Sequence, residues 1–289
     1  MTFTQIFSSP FLTAIVLRAA VVGLLVSLCS SLLGVSLVMK RYSMIGDGLS
    51  HVGFFALAIA SVAGVSSKYS LEAAIPIVIL AAVLILKLSD SRTISGDSAC
   101  ALVSTGAIAI GTLIFSFTDN TAADICNSLF GSASVITISS KDMYFSIALS
   151  VLVLVWFVLM YRRIFAVTFD EQFSAAAGCS VRHFRTSLAV LTAVTIVVGM
   201  KMMGAIMISA LIVFPPLAAA RVTRSFKGVV IGSAVVSSMC FIIGLAVACR
   251  FSLQTGATVV TADIAAFLII FAVSRIRMAA RRRRAGAAS

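Results

Sequence analysis

Nine long apolar runs follow one another along this chain, near 11–39, 44–64, 71–88, 99–117, 143–160, 187–200, 204–220, 229–249 and 257–274. About 20 apolar residues in a helix cross the hydrocarbon of a bilayer, so most of these runs qualify singly as spans. The chain is 61% hydrophobic and 11% charged, whereas soluble domains carry about 25% charged residues. This composition predicts an all-α integral membrane protein, a polytopic transmembrane bundle of about eight or nine helices. The count is open only at 187–220. That stretch is too long for one span and short for two, and its polar break is Lys201 with Gly199 and Gly204 nearby. The first run far exceeds the apolar core of a signal peptide, so no cleaved leader is expected.

Orientation follows from the distribution of positive charge. With the C-terminus inside, Lys40, Arg41, Lys87, Arg92, Arg162, Arg163, Arg182, Arg185, Arg221, Arg224, Lys227, Arg275, Arg277 and Arg281 to Arg284 are cytoplasmic. That is seventeen, against four outside (Lys68, Lys141, Lys201 and Arg250), with Arg18 left in the first span. The net charge of +12 is therefore read as membrane topology and not as a nucleic-acid surface. In the basic tail, 275–289, the run Arg281 to Arg284 is expected to be a solvated end that fixes orientation, with binding to anionic lipid heads as the alternative. Six scattered cysteines, Cys29, Cys100, Cys126, Cys179, Cys240 and Cys249, form no C-x-x-C pair and predict neither a zinc cluster nor a disulfide framework.

Against this background Asp47 and His51 stand out. They lie four residues apart at the head of the second run, so on a helix they share one face. An acid and an imidazole at that spacing can hold one cation, and an ionisable group retained in a membrane segment is a functional candidate by default. Ser43 and Ser50 fall on the same side. The alternatives are an acid complementing a helix N-terminus and a histidine satisfied by a backbone carbonyl. Asp263 in the last run is either a pathway group or a partner for Arg250. Arg18 is expected to snorkel or to pair with an internal acid, His183 to be an interfacial side chain, and Met200, Met202, Met203 and Met207 to be packing material.

Two connections are long. Thr118 to Asp142 is expected outside, with a semi-apolar piece, Ile125 to Gly131, lying at the interface or re-entering. The second, about 161–186, is expected in the cytoplasm. There Thr168 or Asp170 can cap a short helix with Glu171 in its first turn and Gly178 stopping it. Phe169, Phe173 and Ala177 would form its apolar stripe. The acidic Asp170–Glu171 pair argues for a protein partner over anionic lipid.

Four stretches, in order, resemble the permease subunits of the metal-ion ABC importers (the ABC-3 type), a family that takes up zinc, manganese or iron. They are Val38-Met-Lys-Arg-Tyr-Ser-Met-Ile-Gly-Asp-Gly-Leu-Ser-His51, then Leu129-Phe-Gly131 with Ile136-Thr-Ile-Ser-Ser-Lys-Asp142, then Phe169-Asp-Glu-Gln-Phe-Ser-Ala-Ala-Ala-Gly178, and finally Val198 to Arg221 with its doubled Pro215-Pro216. Weaker agreement continues through Thr255-Gly-Ala-Thr-Val-Val260. The resemblance covers essentially the whole chain and implies one transmembrane permease domain over 1–289 with a type II ABC importer fold. It implies that Asp47 and His51 line the metal path and that Phe169 to Gly178 is the coupling helix seated on the ATPase. Ser50, Asp263 and Pro215 are candidate supports of the pathway. One departure stands after His51, where Val52-Gly-Phe-Phe-Ala56 replaces a Leu-Pro-Gly-like turn, so the helix is expected to run on smoothly. Pro215 and Pro216 each remove a backbone donor, and a kink or break is expected near Ile212 to Pro216.

No G-x-x-x-x-G-K-[ST] occurs, so a P-loop ATPase must act in trans and the chain is expected to be a non-catalytic transport subunit. The expected partners are a cytoplasmic ABC ATPase, an extracytoplasmic solute-binding protein, a second permease copy or a related permease, and membrane lipids. The location implied is the inner membrane of a bacterium. No covalently bound cofactor is expected; the divalent metal is cargo. A hard oxygen and a borderline nitrogen suit manganese, iron or zinc over magnesium or calcium. The rival readings are a proton-coupled secondary cation transporter using Asp47 and Asp263, and a permease of the same architecture for iron chelates or a vitamin.

Overall fold

The computed structural model describes residues 10–40, 42, 44–65, 69–89, 95–117, 140–251 and 253–286, and among them every regular element is a helix. In chain order these are α1 (Pro10–Met39), α2 (Met44–Val62), α3 (Ser70–Ser89), α4 (Gly96–Ser116), α5 (Ser140–Phe169), α6 (Glu171–Ala176), α7 (Val181–Met203), α8 (Ala205–Val222), α9 (Phe226–Phe251) and α10 (Thr255–Gly286). Nine of them are long and apolar enough to cross a membrane, and α6 is the short exception. The undecided stretch 187–220 is two spans, α7 and α8. Hydropathy does not separate them; Gly204 does, at a φ of 91° that residues with a Cβ adopt only at a cost.

Burial divides the bundle into a centre and a rim. α1, α2, α7 and α8 are more than half buried over their apolar windows, while α4, α5 and α10 are mostly exposed. Leu80, Leu102, Leu159, Ile269 and Ile276 project outward from the rim helices, the surface that lipid covers in a spanning bundle. Where apolar side chains gain nothing by leaving lipid, small residues and interhelical hydrogen bonds hold helices together. The α1–α9 contact follows that rule. Ser237 Oγ donates to the Ser27 carbonyl at 2.9 Å and Ser233 Oγ to the Ser31 carbonyl at 3.3 Å, all four residues being buried.

Two expectations change at this level. α8 stays helical through Pro215 and Pro216, so of the kink or break expected there the break does not occur. Pro216 cannot donate to the Ile212 carbonyl, and α1 covers that oxygen: a Cβ on Gly34 would stand 2.1 Å from it. Secondly, α5 does not end at Met160; it continues through Arg162 and Arg163 to Phe169, burying Ile164 and Val167. The 161–186 segment is therefore mostly helix end, α6 and helix start. Arg18 lies exposed on α1, as the snorkelling alternative expects. The expected departure after His51 holds, because α2 runs unbroken from Met44 to Val62. Residues 118–139 lie outside the described residues, and with them Ile125 to Gly131 and the family-like stretch at Leu129; so does Ser43.

Candidate metal site and coupling helix

The first turn of α2 carries Asp47 and the second carries His51. His51 Nε2 stands 3.4 Å from Asp47 Oδ1. Two ligands on one cation at about 2.1 Å, in tetrahedral geometry, stand about 3.4 Å apart. The pair is thus spaced to hold one ion without moving. The His51 side chain is 13% exposed and that of Asp47 43%, so the imidazole forms a floor and the carboxylate an opening. His51 Nδ1 is buried and meets no hydrogen-bond partner among the described residues, whereas metal-binding histidines are usually locked by a bond at the second nitrogen.

The glycines that flank Asp47 fit it between neighbours. A Cβ on Gly46 would lie 3.2 Å from Ile212 Cδ1 of α8, and one on Gly48 would lie 3.4 Å from the Cys100 carbonyl of α4. Ser50 is fully buried, and its hydroxyl donates to the Asp47 backbone carbonyl at 2.8 Å, where it supports the helix. Pro215 is buried in α8, one turn along from Ile212. Met200, Met203 and Met207 are buried, and Met202 Sδ accepts from Ser146 Oγ at 3.2 Å; these sulfurs are packed. Among the described residues no group of three or more His, Cys, Asp or Glu side chains gathers to hold a metal.

Asp263 belongs to a different environment. It sits on α10, which packs on α8 and α9, and is 1% exposed with the Cys240 thiol as the polar group beside its carboxylate. No ion pair joins it to Arg250. The Cys240 thiol donates to the adjoining Ala262 carbonyl at 3.8 Å, closing the α9 side.

At the other functional stretch, Asp170 is the N-cap of α6, its carboxylate accepting from the Phe173 N–H at 2.8 Å. Gly178, at a φ of 82°, ends the motif as the Cys179 N–H returns to the Ser174 carbonyl at 2.9 Å, an arrangement that favours glycine. The expected Phe169–Phe173–Ala177 stripe is corrected here, because the cap interrupts it. Phe169 is the last residue of α5 and packs on Phe165 and on Phe226 at the head of α9, with centroids 4.9 and 6.1 Å away. Phe173 is the one large apolar side chain of α6, and it is 70% exposed. His183 Nδ1 meets Ser180 Oγ at 2.5 Å at the start of α7.

An ion pair that the sequence did not announce holds α6 in place. Lys40, directly after α1, reaches Glu171 Oε1 at 2.5 Å with only 7% of its own side chain exposed. Burial holds the Lys40 amine below the ordinary lysine range; Glu171 partly restores it and nearby Arg185 lowers it again. Lys40 had counted only as one of the inside charges, and a partner 131 residues away has no signature in spacing.

The family model described as the ABC 3 transport family matches residues 13–274. The chain belongs to that family, and is a multi-pass membrane permease of the metal-ion ABC type. It is 29% identical over 264 residues to a probable iron transport system membrane protein of Haemophilus influenzae, covering 90% of this chain and 94% of that one. It is 22% identical over 257 residues to the manganese import system permease protein ScaB of Streptococcus gordonii, covering 89% and 90%. Among solved structures it resembles PsaBC from Streptococcus pneumoniae in complex with Fab, with a TM-score of 0.78 at 22% identity, covering 93% of each chain. That likeness confirms the fold.

Proposed function

We propose that this chain is the permease through which an ABC importer moves a divalent transition metal (manganese, iron or zinc) across a bacterial cytoplasmic membrane, C-terminus inside. Asp47 and His51 are transient ligands on the path. The observation that carries this reading is their 3.4 Å separation, set to the edge of a metal's coordination shell and opening at Asp47 toward the outside of this chain. Two donors complete no shell. Water, or a second permease copy or related permease across the pathway, supplies the rest. A site with few ligands, and a histidine ring held at one nitrogen only, releases its ion readily, as a relay must. The iron and manganese assignments of the two relatives support the cargo class, and the oxygen–nitrogen pair suits zinc equally.

Energy enters at α6. Asp170 and Glu171 form its N-terminal end, Gly178 stops it, and Phe173 is the apolar knob that seats in an ATPase cleft. Large exposed aromatics of this kind dominate docking energetics. ATP-driven closure of the ATPases then switches the pathway between outward- and inward-facing states, with an extracytoplasmic binding protein delivering the ion. The test is co-expression with the ATPase. The ATPase co-purifies with the parent, and Phe173→Asp weakens that association by about 30-fold, the effect of losing an interface anchor. Undiminished co-purification would overturn the docking assignment. Uptake of manganese, zinc and ferrous iron in cells lacking their own importers identifies the cargo, and uptake of none of them contradicts the reading.

A further inference from the structure

The geometry points to Tyr42, with Lys40, as positioning residues that carry movement of α6 to the first turn of α2, where Asp47 stands; this inference rests on the function proposed above. Tyr42 lies in the turn between α1 and α2 and is tied to both by its backbone. Its N–H donates to the Leu37 carbonyl at 2.9 Å, and its own carbonyl accepts from the Ile45 N–H at 3.2 Å. Its side chain reaches three more helices. The phenol oxygen accepts from Ser89 Oγ, at the end of α3, at 3.1 Å, and from Arg185 Nη2, in the first turns of α7, at 3.4 Å. The Arg185 guanidinium stands 6.0 Å from the ring centroid. The ring edge occupies space left by Gly96, the first residue of α4, where a Cβ would come within 2.5 Å of Tyr42 Cε1.

One residue therefore joins the ends of α1, α2, α3, α4 and α7. Lys40, two positions earlier, ties the same turn to Glu171, the first residue of α6. Lys40 and Arg185 also sense one another's charge, so displacing Glu171 unbalances two cations that bracket the Tyr42 turn. A pull on α6 thus reaches the base of α2 through an ion pair and a turn whose backbone is bonded on both sides. Asp47 follows Tyr42 by five positions, four of them in α2. A site that opens and closes needs such a connection, because coupling is carried by packed and hydrogen-bonded elements that can adopt two arrangements.

The experiment measures metal imported per ATP hydrolysed by the full transporter, permease with its ATPase and binding protein, in proteoliposomes, with manganese, zinc and ferrous iron each supplied alone. Tyr42→Phe keeps the ring and its packing and removes the hydroxyl that α3 and α7 share. ATPase co-purification with this variant stays at the parent level while import per ATP falls by about fivefold or more, the range of typical coupling energies. Lys40→Glu and Glu171→Lys each lower the same ratio, and the double reversal restores most of it. An unchanged ratio in Tyr42→Phe, failure of that variant to assemble, or a double reversal no better than the singles overturns the inference. A parent that imports none of the three metals instead overturns the proposed function itself.

Discussion

Among the acids on the described membrane helices, Asp47 and Asp263 could hardly be placed more differently. Asp47 on α2 is 43% exposed and faces an imidazole nitrogen at 3.4 Å. Asp263 on α10 is sealed, 1% exposed, with the Cys240 thiol of α9 beside its carboxylate. Both would draw attention in any membrane chain, since ionisable groups there are costly and usually functional. The difference is reachability. An acid that handles a passing cation needs an opening and a second donor, and Asp47 has both. Asp263 has the Cys240 thiol beside it but no opening, and we assign it to the α9–α10 contact.

This contrast can be broken by substitution. The largest effect is expected at the open pair. Asp47→Ala and His51→Ala each reduce uptake at limiting metal by about 10- to 100-fold, at least the loss seen when groups that merely support a metal ligand are removed. Asp47→Ala leaves thermal stability within about 0.5 kcal/mol, as for other substitutions at open positions. Gly34→Ala comes next. Its methyl meets the Ile212 carbonyl, backbone that cannot swing aside, and the cost is about 1–3 kcal/mol, read as a lower melting temperature of the purified permease. Glu171→Gln follows at about 1–2 kcal/mol, because it keeps an acceptor but removes the charge that compensates the buried Lys40 amine. Lys40→Met costs less, since it removes both the charge and the need for a partner; equal losses would show that the pair is merely superficial. The smallest effect is expected at the sealed acid, where Asp263→Asn leaves uptake within about twofold of the parent, an interval of less than 0.5 kcal/mol. A loss there as large as that at Asp47 would erase the distinction.

How much of this could be read in advance follows from whether the deciding physics is local. Spans are local, because hydropathy accumulates along a run, and nearly all nine were legible. The cap at Asp170 and the stop at Gly178 were legible too, as each acts on a backbone group within a few residues. Phe169 was assigned to the wrong helix because aromatic spacing ignores the cap that interrupts it. α5 was cut short because Arg162 and Arg163 mark a membrane boundary, and a helix has no need to end at one. Of the kink or break expected at Pro215 and Pro216, the break did not form; α1 approaches the freed Ile212 carbonyl through Gly34, a contact between residues 178 positions apart. The Asp47–His51 pair was visible because an i,i+4 spacing on a helix brings its members together. Its depth, its flanking glycine contacts and the Lys40–Glu171 tie depend on which helices become neighbours, and no local pattern encodes that.

The central claim, that the open acid and not the sealed one handles the cargo, comes down to one comparison. Initial rates of manganese, zinc and ferrous iron uptake are measured at limiting metal for the parent, Asp47→Asn and Asp263→Asn in the same assembled transporter. The account predicts that Asp263→Asn follows the parent within about twofold while Asp47→Asn falls to about a tenth or less for the transported metal. Equal rates in all three, or a greater loss at Asp263, would contradict it.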